Sequence, residues 1–277
     1  MPAIASDLCT QCMKCVKDCP SDAIEIGHWH INDSCIHCGH CVAVCPEQAV
    51  KPEFGDVLPV MNSGIDPLIY RNFTADLRSC RSYKDKAVPS DLLDDMITNM
   101  SRYPSASNKR TVQVTAVMDR RRIQELNDLT AKTLLKAIGL LTHPIISPFV
   151  NLISPQYGLK SLEAYKQKYA KRQEINTSQI CHGAPLVLLF HGPAGKYSLA
   201  KDDALIWATY TTHYAHSAGL GSCFIGFIVK AMERSKGMRT AFGIPDTHQV
   251  FAALTVGYPK TKYLNEVSRK PPEYNII

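Results

Sequence analysis

Apolar positions change period several times along the chain. Leu92, Leu93, Met96, Ile97 and Met100 recur at helical spacing, and Pro89-Ser90-Asp91 before them is a helix-start signal, so a helix is predicted there. Val112 to Met118 is β-branched and alternating, which predicts a strand. Arg120 to Leu141 reads as a helix, Pro185 to Phe190 as a short buried strand, and Ala200 to Ala218 as a helix closed by Gly219-Leu220-Gly221. Phe224 to Ile228 is expected to be extended, Lys230 to Phe242 helical and Gln249 to Gly257 a strand. Upstream, a helical region containing Leu68, Ile69, Phe73 and Leu77 is expected to run to about Ser82. Helices alternate with strands, which predicts a mixed-sheet α/β or α+β fold for this larger part.

The first 55 residues follow another rule. Ile24-Glu25-Ile26 and His30-Ile31 alternate like short strands around a Gly27-centred turn, but so short a segment has little apolar core. What it has is cysteine. Cys9, Cys12, Cys15 and Cys19 precede Pro20, and Cys35, Cys38, Cys41 and Cys45 precede Pro46, the same spacing 26 residues on. This is the bacterial-type ligand run for two [4Fe-4S] clusters, in which the fourth cysteine ligates the other cluster. On that rule Cys9, Cys12, Cys15 and Cys45 hold one cluster, and Cys35, Cys38, Cys41 and Cys19 the second. Zinc sites use two separated cysteine pairs, so the spacing favours iron–sulfur. His28, His30, His37 and His40 are expected at the surface, because eight cysteines complete both sites. Metal ligation must then supply much of the folding energy. Pro52, Gly55, Pro59 and Gly64 mark a linker, which divides the chain into domains at 1–55 and 65–277.

Composition adds a compartment and a charge asymmetry. The chain has 277 residues, 45% apolar and 20% charged, as in ordinary globular proteins. Clustered, metal-spaced cysteines imply a reducing compartment, and no basic segment followed by an apolar run opens the chain, so a cytoplasmic location is expected. Ala137 to Tyr157 is the most apolar stretch, but His143, Pro144, Pro148, Asn151 and Pro155 interrupt it, so no membrane span is expected. Residues 1–60 carry eight acids and three bases, net −5, against +11 for the rest of a chain that totals +6. The basic part suits a phosphate-bearing cofactor or an acidic partner. Its cations lack the aromatic interleaving of a nucleic-acid platform, so no nucleic-acid partner is expected.

Residues 5–52 resemble the bacterial two-[4Fe-4S] ferredoxins, which implies a low-potential one-electron carrier. Four later segments resemble the FMN-binding nitroreductase family: Arg78-Ser79-Cys80-Arg81-Ser82-Tyr83, Pro104-Ser105-Ala106-Ser107-Asn108, Gly219 to Gly226, and Gly257-Tyr258-Pro259 with Ser268-Arg269-Lys270-Pro271. The resemblance implies an α+β chain: a ferredoxin-like domain followed by an FMN-binding α/β sandwich with a mixed sheet. It implies that Arg78 and Arg269 grip the FMN phosphate with Ser79, the bidentate chemistry to which guanidinium is suited. Arg81 would meet the flavin N1/O2 edge and favour reduced flavin. Ser105, Ala106 and Asn108 would reach flavin across a homodimer interface, and Ile225 and Gly226 would offer backbone groups near the ring. Leu77 and Arg110 depart from the family pattern, which has arginine and glutamine there. Residues 131–182 look like a variable insertion, either a flavin cover or dimer packing.

The combined expectation is a ferredoxin-linked, FMN-dependent oxidoreductase. Two [4Fe-4S] clusters would take electrons from a low-potential donor such as ferredoxin and pass them to FMN, which would reduce a nitroaromatic, a quinone or an activated alkene. Two alternatives stay open: NAD(P)H could reduce FMN and the clusters export electrons to a protein, or the protein could be a non-enzymatic redox carrier or sensor. Cys80, Cys181 and Cys223 are expected to be buried small apolar residues, since no triad spacing accompanies them. No side-chain general acid is evident.

Overall fold

The N-terminal repeat is visible in the backbone. In a computed structural model, Gln11 and His37 both have φ 55°, Asp22 and Gln48 both have φ 49°, and Met13 (62°) matches Gly39 (77°). Each pair is 26 residues apart, so the two cysteine runs fold as two copies of one left-handed loop pattern. Residues other than glycine adopt this region at a cost of roughly 1–2 kcal/mol each. The structure describes residues 1–60, 64–143, 167, 180–196, 198–268 and 270–277. It divides into two units: Met1–Asp66 with Pro104–Arg110, and Pro67–Tyr103 with Thr111–Ile277.

In the first unit β1 (Ala3–Ile4) pairs antiparallel with β4 (Val50–Lys51), and β2 (Ile24–Glu25) with β3 (His30–Ile31). Ile26, expected in a strand, instead starts a 3₁₀ turn, Ile26–His28, and Trp29 (φ 48°) rather than Gly27 supplies the left-handed residue. Two short helices, α1 (Lys14–Lys17) and α2 (His40–Val44), carry Cys15 and Cys41 inward. Ala23, Ile24, Ile26, Ile31 and Val50 pack with these two cysteines as the unit's core.

In the second unit β5 (Gln113–Val117), β6 (Leu186–Pro193), β7 (Gly221–Phe224) and β8 (His248–Gly257) form a sheet in the order β5-β6-β8-β7. The paired strands are antiparallel, and the parallel component is the Ser79–Ser222 bridge alongside β7. Strand alternation makes two cores. Val187 and Leu189 face α5 (Arg120–Leu141), α7 (Gly226–Arg234) and α8 (Lys236–Ala241), through Ile123, Leu126, Ile228, Met232 and Met238. Leu186, Leu188 and Phe190 face α4 (Ser90–Met100) and α6 (Ala200–Ser217), through Leu93, Met96, Ala204, Trp207 and Ala208. Helices on both faces explain why β6 reads as a continuous apolar run rather than an alternating one. A bulge beside Phe190 and His191 shifts the register against β8, so Val250 and Ala253 share one face while Ala252 and Leu254 share the other.

Three expectations change in the second unit. The upstream helix, α3 (Pro67–Ala75), ends well before Ser82, because Arg78 Nη1 donates to the carbonyls of Ala75 (2.6 Å) and Leu77 (2.8 Å) and turns the chain. The expected Phe224–Ile228 strand is instead the end of β7 followed by the start of α7. The expected 230–242 helix is two helices, broken at Ser235 (φ −128°, ψ 100°), whose Oγ accepts from the Met238 amide and caps α8. Most of the expected insertion at 131–182 lies outside the described residues; its start is the end of α5.

Candidate functional site

The eight cysteines of the first unit line two narrow cavities. Cys9, Cys12, Cys15 and Cys45 line one, with Ile4, Ile26 and Val50. Cys19, Cys35, Cys38 and Cys41 line the other. Each cavity thus takes three cysteines from one run and the fourth from the other. Among the described residues, no group of three or more His, Cys, Asp or Glu converges on a single metal ion. Four thiols around one cavity, with apolar walls, fit a multi-iron cluster by the chemistry of the donor set.

Backbone amides point at several of these sulfurs. Ala23 N–H donates to Cys19 Sγ (3.3 Å) and Ala49 N–H to Cys45 Sγ (3.2 Å), each four residues after its cysteine. His37 N–H donates to Cys35 Sγ (3.4 Å). At Cys19 burial pushes the thiol pKa up, but the amides of Ala23 and Ser21 and the Ser21 hydroxyl outweigh it, and the pKa falls below the ordinary thiol value. Burial pushes Cys15 and Cys41 up. His37, expected at the surface, is half exposed and pairs with Glu53 (Nδ1–Oε2 2.7 Å), which also meets the Met1 ammonium (3.1 Å).

The segment 104–110 belongs to the same unit. Ser105 Oγ accepts from the Arg110 amide (3.4 Å), and Ala106 opens a 3₁₀ turn. Asn108, expected at the flavin, has both ends of its amide engaged here: Nδ2 donates to the Ile36 and His37 carbonyls, and Oδ1 accepts from Arg110 Nε (3.0 Å).

In the second unit Arg78 and Arg81 open on different clefts. Arg78 lines one of about 460 Å³ with Cys80, His216, Gly219, Gly221 and the 261–266 segment. Arg81 lines one of about 340 Å³ with Lys84, Arg120, His182 and Lys260. Those last four residues are not marked in the sequence, since they come from four separate segments and share no motif. Ser79 bridges to Ser222, and burial raises the pKa of Cys223 beside it while the Arg81 cation partly restores it. Ile225 donates its N–H to Ala253 O (2.8 Å) and accepts from the Ile228 amide (3.2 Å), so its backbone groups are used within the fold, whereas Gly226 is exposed at the start of α7. Arg269 lies outside the described residues.

Close backbone packing supports these clefts. A Cβ on Gly221 would lie 2.7 Å from Cys80 Cβ, and one on Gly257 would lie 2.5 Å from Pro185 Cδ. The buried Tyr83 hydroxyl ties the arginine segment to β8, donating to Cys80 O (2.9 Å) and meeting Thr255 Oγ1 (2.9 Å); burial raises its pKa beyond any working range. Cys80, Cys181 and Cys223 are buried, and burial pushes Cys181 up to about 12, an inert thiol.

A family model described as nitroreductase family matches residues 75–258, and one described as a 4Fe-4S dicluster domain matches residues 1–46. Among solved structures, the chain is similar to a nitroreductase with bound FMN from Bacteroides fragilis NCTC 9343, at 18% identity over 77% of this chain and 100% of that one, TM-score 0.58. A nitroreductase with bound FMN from Desulfitobacterium hafniense DCB-2 is similar at 17% identity over 74% and 97%, TM-score 0.56. A BluB-like flavoprotein from Clostridium difficile 630 is similar at 16% identity over 75% and 96%, TM-score 0.55. At these identities the likeness is one of fold. No curated protein matches the chain.

Proposed function

The chain belongs to the nitroreductase family, and from that premise we propose that it is an FMN-dependent oxidoreductase fed with electrons through its own pair of iron–sulfur clusters. The observation that carries this reading is the crossed division of the eight cysteines between two cavities. One cavity would hold a cluster on Cys9, Cys12, Cys15 and Cys45, the other on Cys35, Cys38, Cys41 and Cys19. When bound, the clusters supply one-electron transfer and FMN the exchange between one- and two-electron chemistry.

The residues divide the remaining work. Arg78 spends Nη1 on the end of α3, which fixes the guanidinium so that its other edge can take the FMN phosphate, with Ser79 beside it and Arg269 downstream. Arg81 places a cation at the flavin N1/O2 edge and favours its reduced form. Ser105 and Ala106 reach flavin from the partner subunit of a homodimer, and Gly226 offers its backbone near the ring. Lys84 and Lys260 add positive charge beside Arg81, while Arg120 pairs with Asp85 in the same cleft, and the excess of cations favours an acceptor of nitroaromatic, quinone or activated-alkene type that becomes anionic on reduction. A ferredoxin-like protein is the donor.

Anaerobic ultraviolet–visible spectra with iron, sulfide and flavin quantitation test the reading. About eight irons and one FMN per chain are expected. Zinc in place of iron, or a flavin-free protein that rejects added FMN, would sink it. Stopped-flow bleaching of the flavin by reduced ferredoxin, but not by NADH or NADPH, is the expected direction of flow.

A further inference from the structure

We propose that Asn108 is a positioning residue of the second cysteine site, one that makes this site easier to reduce by polarising the peptide unit between Ile36 and His37. The inference rests on the second cysteine set holding a cluster. Asn108 Nδ2 donates to Ile36 O at 3.1 Å and to His37 O at 2.7 Å, both inside the Cys35-Ile36-His37-Cys38 loop. The amide orientation is fixed chemically. Oδ1 faces the Arg110 Nε donor, and a flipped amide would set an oxygen against two carbonyl oxygens.

The Ile36 carbonyl and the His37 N–H belong to one peptide unit. That N–H is the donor to Cys35 Sγ at 3.4 Å. Asn108, the peptide and the sulfur therefore form a hydrogen-bond chain. Each donation in such a chain strengthens the next, by roughly 10–30% per bond. A more polar N–H at a ligand sulfur stabilises the state with more negative charge, which is the reduced one, and hydrogen bonds to sulfur are among the levers on cluster potential.

The two sites differ in this respect. Besides the His37 amide, the second has the Ala23 amide and the Ser21 hydroxyl (3.7 Å) at Cys19, whereas the first receives the Ala49 amide at Cys45. The counterpart of His37 in the first run is Gln11, with the same φ of 55°, yet among the described residues no amide donates to Cys9 Sγ. Among the described residues, an outside side-chain clamp is seen on the loop of the second copy and not on that of the first. The residue suits its position twice, since asparagine tolerates the left-handed backbone (φ 52°) that the segment adopts there.

The test uses the full iron-loaded chain and two variants. Asn108→Gly keeps the left-handed backbone and removes the donor. Asn108→Asp puts carboxylate oxygens where the donor was. Iron and sulfide are quantified, and a reductive titration followed by electron paramagnetic resonance resolves the two reduction steps. The expected result is wild-type iron content, a downward shift of the more positive midpoint in Asn108→Gly, a larger one in Asn108→Asp, and no shift of the other midpoint. Peptide-resolved hydrogen exchange should also quicken at the His37 amide. Either variant alone decides the matter, so poor loading of one leaves the other conclusive. Midpoints that stay put, or that move together, overturn the inference and leave the function reading standing. A wild-type chain without iron and sulfide overturns both.

Discussion

The two units of this chain hold their folds by different means. The second buries Phe190, Leu186, Leu188, Leu189, Ile228, Met232 and Leu254 on the two faces of one sheet. Among the described residues, the first buries nothing apolar larger than isoleucine, and two members of its core are cysteines. It also holds Gln11, Met13, Asp22, Trp29, His37 and Gln48 in left-handed backbone. A side-chain core that small does not offset chain entropy, let alone backbone strain. The difference teaches where the folding energy comes from: apolar burial in the second unit and, on the cluster reading proposed above, ligation in the first.

The largest expected effect comes from removing the metal. Stripping iron with a chelator under reducing conditions should abolish amide protection throughout residues 1–51 and leave β6 and β8 protected, as read by peptide-resolved hydrogen exchange. Persistent protection of the stripped first unit would end the contrast. Next, Leu189→Ala should cost the second unit about 2–5 kcal/mol, because it opens a cavity in a fully buried position. Urea unfolding followed at Trp207, in a Trp29→Phe background, reads that loss, and iron content should not change.

A pH effect of up to about 3 kcal/mol is also expected in the second unit. Burial, helped by the neighbouring His248, depresses His191 from 6.5 to about 4. Its Nδ1 faces His248 Nδ1 at 3.0 Å and its Nε2 meets Thr115 Oγ1 at 3.1 Å. Between those pH values the unfolded chain binds a proton that the folded chain refuses. The second unit's urea midpoint should therefore hold above about pH 6.5 and fall progressively toward pH 4, and His191→Phe should flatten that slope. The smallest effect is at a helix cap. Ser235→Ala should cost about 1 kcal/mol by releasing the Met238 amide, seen as a small drop in the same midpoint.

Much of this was legible in the chain. The cysteine runs read correctly as an iron–sulfur domain because ligation demands one residue type at set spacings, and residues 1–46 match such a domain. The nitroreductase resemblance and the α+β class likewise agree with the family match and the fold. Element boundaries were less legible where a single side chain decides them. Arg78 ends the chain's turn out of α3, and Ser235 splits a helix that periodicity alone would continue. The cations around Arg81 were invisible, because Lys84, Arg120 and Lys260 meet only when β5, β6 and β8 align their ends.

By itself the sequence determined the iron–sulfur domain pattern, its place ahead of the nitroreductase segment and the apolar runs that become β6 and β8, since spacing and composition act locally. Only the tertiary structure decided which partners distant polar groups take. Asn108 reads the same in the chain whether its amide meets a cofactor or a backbone. The left-handed turn of its own segment, together with the matching turn at His37, brings that amide to the Ile36 and His37 carbonyls. Such contacts depend on a fold that closes 71 and 72 residues of separation, and no local pattern encodes them.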